Sequence, residues 1–187
     1  MRAMTEKQNA KFISFYKNLS NLAKIDPLRQ IKTTSPQSLQ FITFHLIFEY
    51  MLENWINYKI NNGENLFRGI KKIGFHNKMY IAKNAGFPKD IFNCLDIVNN
   101  IRNEFAHQID KSSLKTNEMD TLFKQIKEID TKGNSVESVS FIEDGITYFF
   151  SDTNSQSANT LIYLHLLSGK IRNYIFTDIY EHHSRPL

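Results

Sequence analysis

The segment that most constrains this chain is residues 36–60, because it is apolar almost all the way round a helix. Phe41, Phe44, Phe48, Met51, Leu52, Trp55 and Ile56 occupy one side, and Leu39, Ile42, Leu46, Ile47 and Tyr50 continue round the others. No glycine or proline interrupts the run between Pro36 and Gly63. Ser35-Pro36 reads as an N-cap with proline at the first helical position. Such a helix lies at the centre of a core or is shared with a second copy. Against this background His45, Glu49, Glu53 and Asn57 recur every four residues as one polar stripe. A carboxylate on a buried helix needs a partner, and the expected partner is Arg102, with Glu49 favoured over Glu53.

Other helices frame this one. Residues 5–25 carry Phe12, Phe15, Tyr16, Leu19 and Leu22 at helical spacing, and Asp26-Pro27 stops them. Asn61-Asn62-Gly63 is a break. A helix is expected over 66–85, ended by Gly86, and another over 88–108 with Pro88 in its first turn. A fifth runs over 117–129. Residues 136–150 are β-branched and aromatic around Glu143-Asp144-Gly145, a hairpin signal. The last helix, 158–180, has the apolar stripe Leu161, Leu164, Leu167, Ile171, Ile175 and Ile179. The expected fold is mainly α: a helical bundle over 1–130, with a β-hairpin and long terminal helix over 131–187 packed on the same domain.

Composition bounds the setting. With 41% hydrophobic residues among 187, including 15 Phe and 8 Tyr, the chain can bury an aromatic core. The net charge of +4 suits an RNA partner without requiring one. Cys94 is the single cysteine, expected to be a buried small hydrophobe in a reducing cytoplasm. No signal-type leader and no membrane span is expected. There is no Cys-rich or HExxH metal motif and no phosphate-binding glycine loop, so neither metal nor cofactor is called for.

The chemistry concentrates in Arg102-Asn103-Glu104-Phe105-Ala106-His107. Guanidinium holds phosphate oxygens in bidentate fashion, and imidazole exchanges protons near neutral pH. With Ile91 at zero, Leu95, Val98, Ile101 and Phe105 form the apolar stripe, and Arg102 falls inside it. Asn103 and His107 fall on the polar face. Arg102 and His107 therefore diverge by about 140° and rise about 7.5 Å. One helix does not present both to a single atom, so a composite site at a homodimer seam is the economical arrangement. A plainer account fits the same geometry: an arginine paired with a neighbouring carboxylate, and a surface histidine at a helix C-terminus. Lys71, Lys72 and Lys78 are either a surface that tracks RNA phosphates or a solvated helix face. Arg172-Asn173 echoes the motif but lacks its histidine.

The run Ile101 to His107 resembles the signature of HEPN domains, the higher eukaryote and prokaryote nucleotide-binding superfamily. Residues 74–109 are also similar to the mannitol operon repressor family, a HEPN-like group. With the preceding helix, the resemblance spans roughly residues 38–110. It implies a dimeric helical bundle and, in many members, a metal-independent endoribonuclease acting as a toxin or antiviral defence effector. Arg102 and His107 would then be catalytic with Asn103, Glu49 and Glu53 would support them, and an antitoxin, sensor or ATPase would be a possible partner. A partner that modifies a tyrosine two residues beyond the histidine is not expected, since Ile109 stands there. Other members keep the fold as non-catalytic regulators or protein-interaction modules.

Overall fold

The computed structural model describes residues 31–61, 64–70, 73–107, 113–129, 140–149 and 155–184, with Ala10, Ile13, Ser14 and Lys17. Those four isolated residues are helical; the rest of the helix expected over 5–25 lies outside the described residues, as do Lys71 and Lys72. The described elements are α1 (Gln37–Asn61), α2 (Phe75–Asn84), α3 (Lys89–His107), α4 (Thr116–Glu128), the strands β1 (Ser140–Glu143) and β2 (Ile146–Phe149), and α5 (Gln156–Ser184).

The apolar helix α1 packs against α2, α3 and α5, while α4 bridges α3 and α5. Its residues Phe41, Phe44, Trp55 and Ile56 are completely buried. The predicted stripe of α5 shares this core, each of its six residues being 1% exposed or less. Cys94 is fully buried, and burial pushes its thiol up to about 12, so it serves as packing.

Contacts fix the helix directions. Gln37 Nε2 donates to Thr160 Oγ1 at 2.8 Å, and the Trp55 indole donates to Asp178 Oδ2 at 2.9 Å, so α1 and α5 run parallel. Phe41 meets Phe105, and His45 meets Asn99, so α3 runs antiparallel to α1. Met119 faces Gln37, and the Lys170 ammonium donates to the Ile129 carbonyl at 2.6 Å, so α4 runs parallel to α5. The end of α4 and the start of α5 therefore stand at opposite ends of this parallel pair, about 20 Å apart, and the hairpin lies between them in the chain. Its two-residue turn has positive φ at both Asp144 (50°) and Gly145 (81°), the geometry that matches the strands' twist. Glu143 accepts from the Thr33 amide and hydroxyl, which ties the turn to the start of α1.

Two boundaries differ from expectation. The helix expected from residue 66 begins only at Phe75. Asn57 and Asn65 side chains accept the Leu66 and Phe67 amides, making a local turn, and Gly69 at φ 85° leaves helical space. The end of α2 does follow its glycine: Gly86 has φ 96°, Phe87 N–H donates to Ala82, and Gly86 N–H donates to Lys83. Ser35 does not cap α1; its hydroxyl accepts from Lys32 N–H instead.

Burial pushes His165, which stands edge-on to Phe44 at 4.9 Å, down to about 4. The unfolded chain protonates this ring near pH 6.5 while the folded chain resists. Stability should therefore be flat above about pH 6.5 and fall as pH drops toward 4, by up to about 3 kcal/mol from this residue. Urea unfolding at stepped pH should show that slope, and His165→Phe should reduce it.

Candidate functional site

α3 carries the motif at its C-terminal end, and its apolar face explains how. Ile91, Leu95, Val98, Ile101 and Phe105 are buried, which turns Asn103 and His107 outward. His107 is the last residue of α3 and is exposed; Asn103 is half-buried one turn before it. Arg102 is half-buried at the edge of the stripe. Its Nη1 donates to Asn103 Oδ1 at 3.0 Å. That bond draws the guanidinium off the apolar stripe toward the face that Asn103 shares with His107. The backbone divergence of about 140° is thereby partly closed by the arginine's own length.

The carboxylates do not hold Arg102. Glu49 Oε1 and Glu53 Oε2 both accept from the Lys78 ammonium of α2, at 2.8 and 2.7 Å. Burial alone would lower the lysine's pKa, but its bonds to the two carboxylates outweigh this and hold it above the ordinary range. Lys78 is only 8% exposed, so it belongs to neither surface considered for it, phosphate-tracking or solvated. The sequence carried the signal: Lys78 falls with Phe75, Met79 and Ala82 on one helical face, the buried face of α2. Among the described residues no carboxylate pairs with Arg102.

Two further groups stand near the arginine: His45, which the sequence places on the polar stripe of α1, and Asn99, which the sequence did not single out. His45 is 5% exposed, with its ring 4.4 Å from that of Phe75, and its Nε2 lies 3.3 Å from Asn99 Oδ1. Burial lowers its pKa and the nearby Arg102 charge adds to this, against the Asn99 bond and the Glu49 charge. The ring is therefore neutral near pH 7. With Nε2–H donating to Asn99, Nδ1 keeps a buried lone pair without a partner. Asn99 stands one turn before Arg102, inside what periodicity marks as an apolar flank, which is why it did not stand out.

The arrangement is a guanidinium with no carboxylate counterion among the described residues, braced by an amide, with an exposed imidazole five residues further along the same helix. Groups of these types are able to bind an anion and to exchange a proton. Among the described residues no cluster has the composition to hold a metal ion, and no helix is long and apolar enough to cross a membrane. Compared with protein-family models, curated proteins and solved structures, the chain matches none.

The Lys78 cluster is structural on this geometry. Lys78→Met should lower the unfolding free energy by about 2–3 kcal/mol, because it strands two carboxylates. The loss stays below that of a fully buried pair, since the Glu49 and Glu53 side chains are 25% and 31% exposed. Urea denaturation checks this.

Proposed function

We propose that this chain is a metal-independent endoribonuclease that works as a homodimer. The observation that carries the reading is the Arg102–Asn103 bond, which turns a guanidinium without a carboxylate partner among the described residues toward the face of His107. In this mechanism a ribose 2′-OH attacks the adjacent phosphorus and the 5′-oxygen leaves. His107 takes the first proton or supplies the second. Arg102 stabilises the charge that grows on the phosphate oxygens. Asn103 fixes the guanidinium. The role expected for Glu49 and Glu53, aligning Arg102 directly, is dropped, since Lys78 occupies both.

The second copy is argued from α1. Leu39, Ile42, Leu46 and Tyr50 form a stripe at helical spacing, 37–60% exposed. The Phe41–Phe105 and His45–Asn99 contacts set the first part of this stripe, around Leu39 and Ile42, level with residues 99–107 of α3. A copy docked there brings its own motif to the same level and supplies the second imidazole. The resemblance of the motif to HEPN domains adds the setting: a toxin or antiviral defence effector of the cytoplasm, with an antitoxin, sensor or ATPase as partner. The same exposed stripe favours a second reading, a non-catalytic regulator that docks another protein.

Purified protein in EDTA should cleave RNA and leave 2′,3′-cyclic phosphate ends. Arg102→Ala and His107→Ala should each reduce the rate by at least about 100-fold, and Asn103→Ala by about tenfold. Leu46→Glu should give a monomer by sedimentation and lose cleavage with it. An Arg102→Ala variant as fast as wild type would sink the mechanism. Absence of cleavage together with Leu46-dependent capture of a different protein would favour the docking module.

A further inference from the structure

The polar face of α3 extends one turn beyond the motif, to Asn99. With Ile91 at zero, Arg102 projects near 20° around the helix, Asn99 near 80°, Asn103 near 120° and His107 near 160°. Side chains on a helix lean toward its N-terminus. The Arg102 guanidinium, drawn across to Asn103 Oδ1 at 3.0 Å, therefore passes over the azimuth of Asn99, one turn away. That bond uses one of the five guanidinium N–H donors.

Asn99 is bonded at one end only. It is 8% exposed, and its Oδ1 lies 3.3 Å from His45 Nε2. Its Nδ2 bonds to no acceptor among the described residues, yet it is not walled in as His45 Nδ1 is, so it opens on solvent. A nearly buried amide is normally bonded at both ends, and an open end calls for a reason. Here the oxygen is fastened inward and the two amide hydrogens are held outward beside a guanidinium. Donors in that position suit an anion, because N–H bonds to a charged acceptor are the stronger kind. The nearest carboxylate of α1, Glu49, is taken by Lys78. Asp96, half-buried one turn before Asn99, ends the row of donors, since an anion further along would meet a negative charge.

Resting on the ribonuclease reading, we infer that Asn99 is a further substrate-binding residue, donating from Nδ2 to a non-bridging oxygen of the phosphodiester held by Arg102, and that His45 is its positioning residue. An asparagine amide can turn over, and a turned amide would present Oδ1 to the phosphate and repel it. His45 prevents this by donating Nε2–H to Oδ1 from a ring fixed against Phe75, 4.4 Å away. The buried histidine thus acts on the substrate only through Asn99. Arg102 and His107 remain the site of chemistry.

The test uses the full chain and a 2′-O-methyl RNA tetranucleotide, which carries phosphodiesters but no attacking hydroxyl. The side-chain amide signals of Asn99 and the Nε–H signal of Arg102 should shift together and saturate at one midpoint. Asn99→Ala should weaken binding about threefold to tenfold, and Asn99→Asp should abolish it. His45→Leu should match the loss of Asn99→Ala, while His45→Gln, which keeps an N–H donor, should restore binding, with both variants matched for stability in urea. Arg102 shifting while the Asn99 amide stays still would overturn the proposal, as would an Asn99→Ala variant that binds like wild type. Equal binding by the two His45 variants would overturn the positioning role. Uridine without a phosphate shifting the Asn99 amide as strongly would overturn the phosphate assignment. RNA cleavage is measured in parallel, so the two readings separate. Shifts at Asn99 without cleavage would sink the nuclease and keep the phosphate site, and cleavage with Asn99 unmoved would do the reverse.

Discussion

A helix with apolar residues on nearly every side has to be surrounded, and the polar side chains it carries inward need partners on other elements. That requirement on α1 organises the bundle. At its start Gln37 is 4% exposed and uses its whole amide, donating to Thr160 and Met119 and accepting from Leu114 N–H. It thereby joins α1, α4 and α5 at one end. Gln40 donates to Ser157 and the Ser35 carbonyl. Further along, His45 meets Asn99 of α3, Glu49 and Glu53 meet Lys78 of α2, and Trp55 with Lys59 meets Asp178 of α5. Leaving any of these unmet would cost on the order of 1–3 kcal/mol, more for the charges, so the polar atoms select which neighbours α1 accepts and at what level.

The same matching frees the candidate site. Lys78 absorbs both carboxylates of the α1 stripe, so the positive charge of Arg102 is left to the amide of Asn103. Were the carboxylates on Arg102 instead, the guanidinium would be neutralised and turned inward, with nothing to offer an anion. A lysine at one turn of α2 thus decides the character of an arginine on α3. His45 adds to this as a buried ring near Arg102, and burial, which lowers its pKa, disfavours a second positive charge close to the guanidinium.

Helix direction explains the β-hairpin. α1, α4 and α5 are parallel, and parallel neighbours need a long return connection. The hairpin lies between α4 and α5 in the chain and is tied to Thr33 and Lys32 by Glu143 and Asp144. The Lys32–Asp144 pair is exposed and contributes little to stability. The Thr33 contacts and the Asp144-Gly145 turn do more to set the path.

The sequence by itself determined the elements with strong local periodicity or a glycine that only one conformation suits. The stripe of α5, the buried face of α3, the stop at Gly86 and the Asp144-Gly145 turn were all legible, because burial follows the 3.6-residue repeat and positive φ selects glycine. The helix boundary at Phe75 was not, because amide-accepting asparagines and Gly69 broke a run of helix-compatible residues. Tertiary structure alone decided who pairs with whom. Glu49 and Glu53 could reach toward either cation from a linear reading, since helical spacing gives the direction of a side chain and says nothing of the helix it faces. Only the packing of α2 against α1 brings Lys78 between them. The exposed stripe on α1 was equally illegible: Leu39, Ile42, Leu46 and Tyr50 match their buried neighbours in type, and the arrangement of α2, α3 and α5 around α1 is what leaves that face outward.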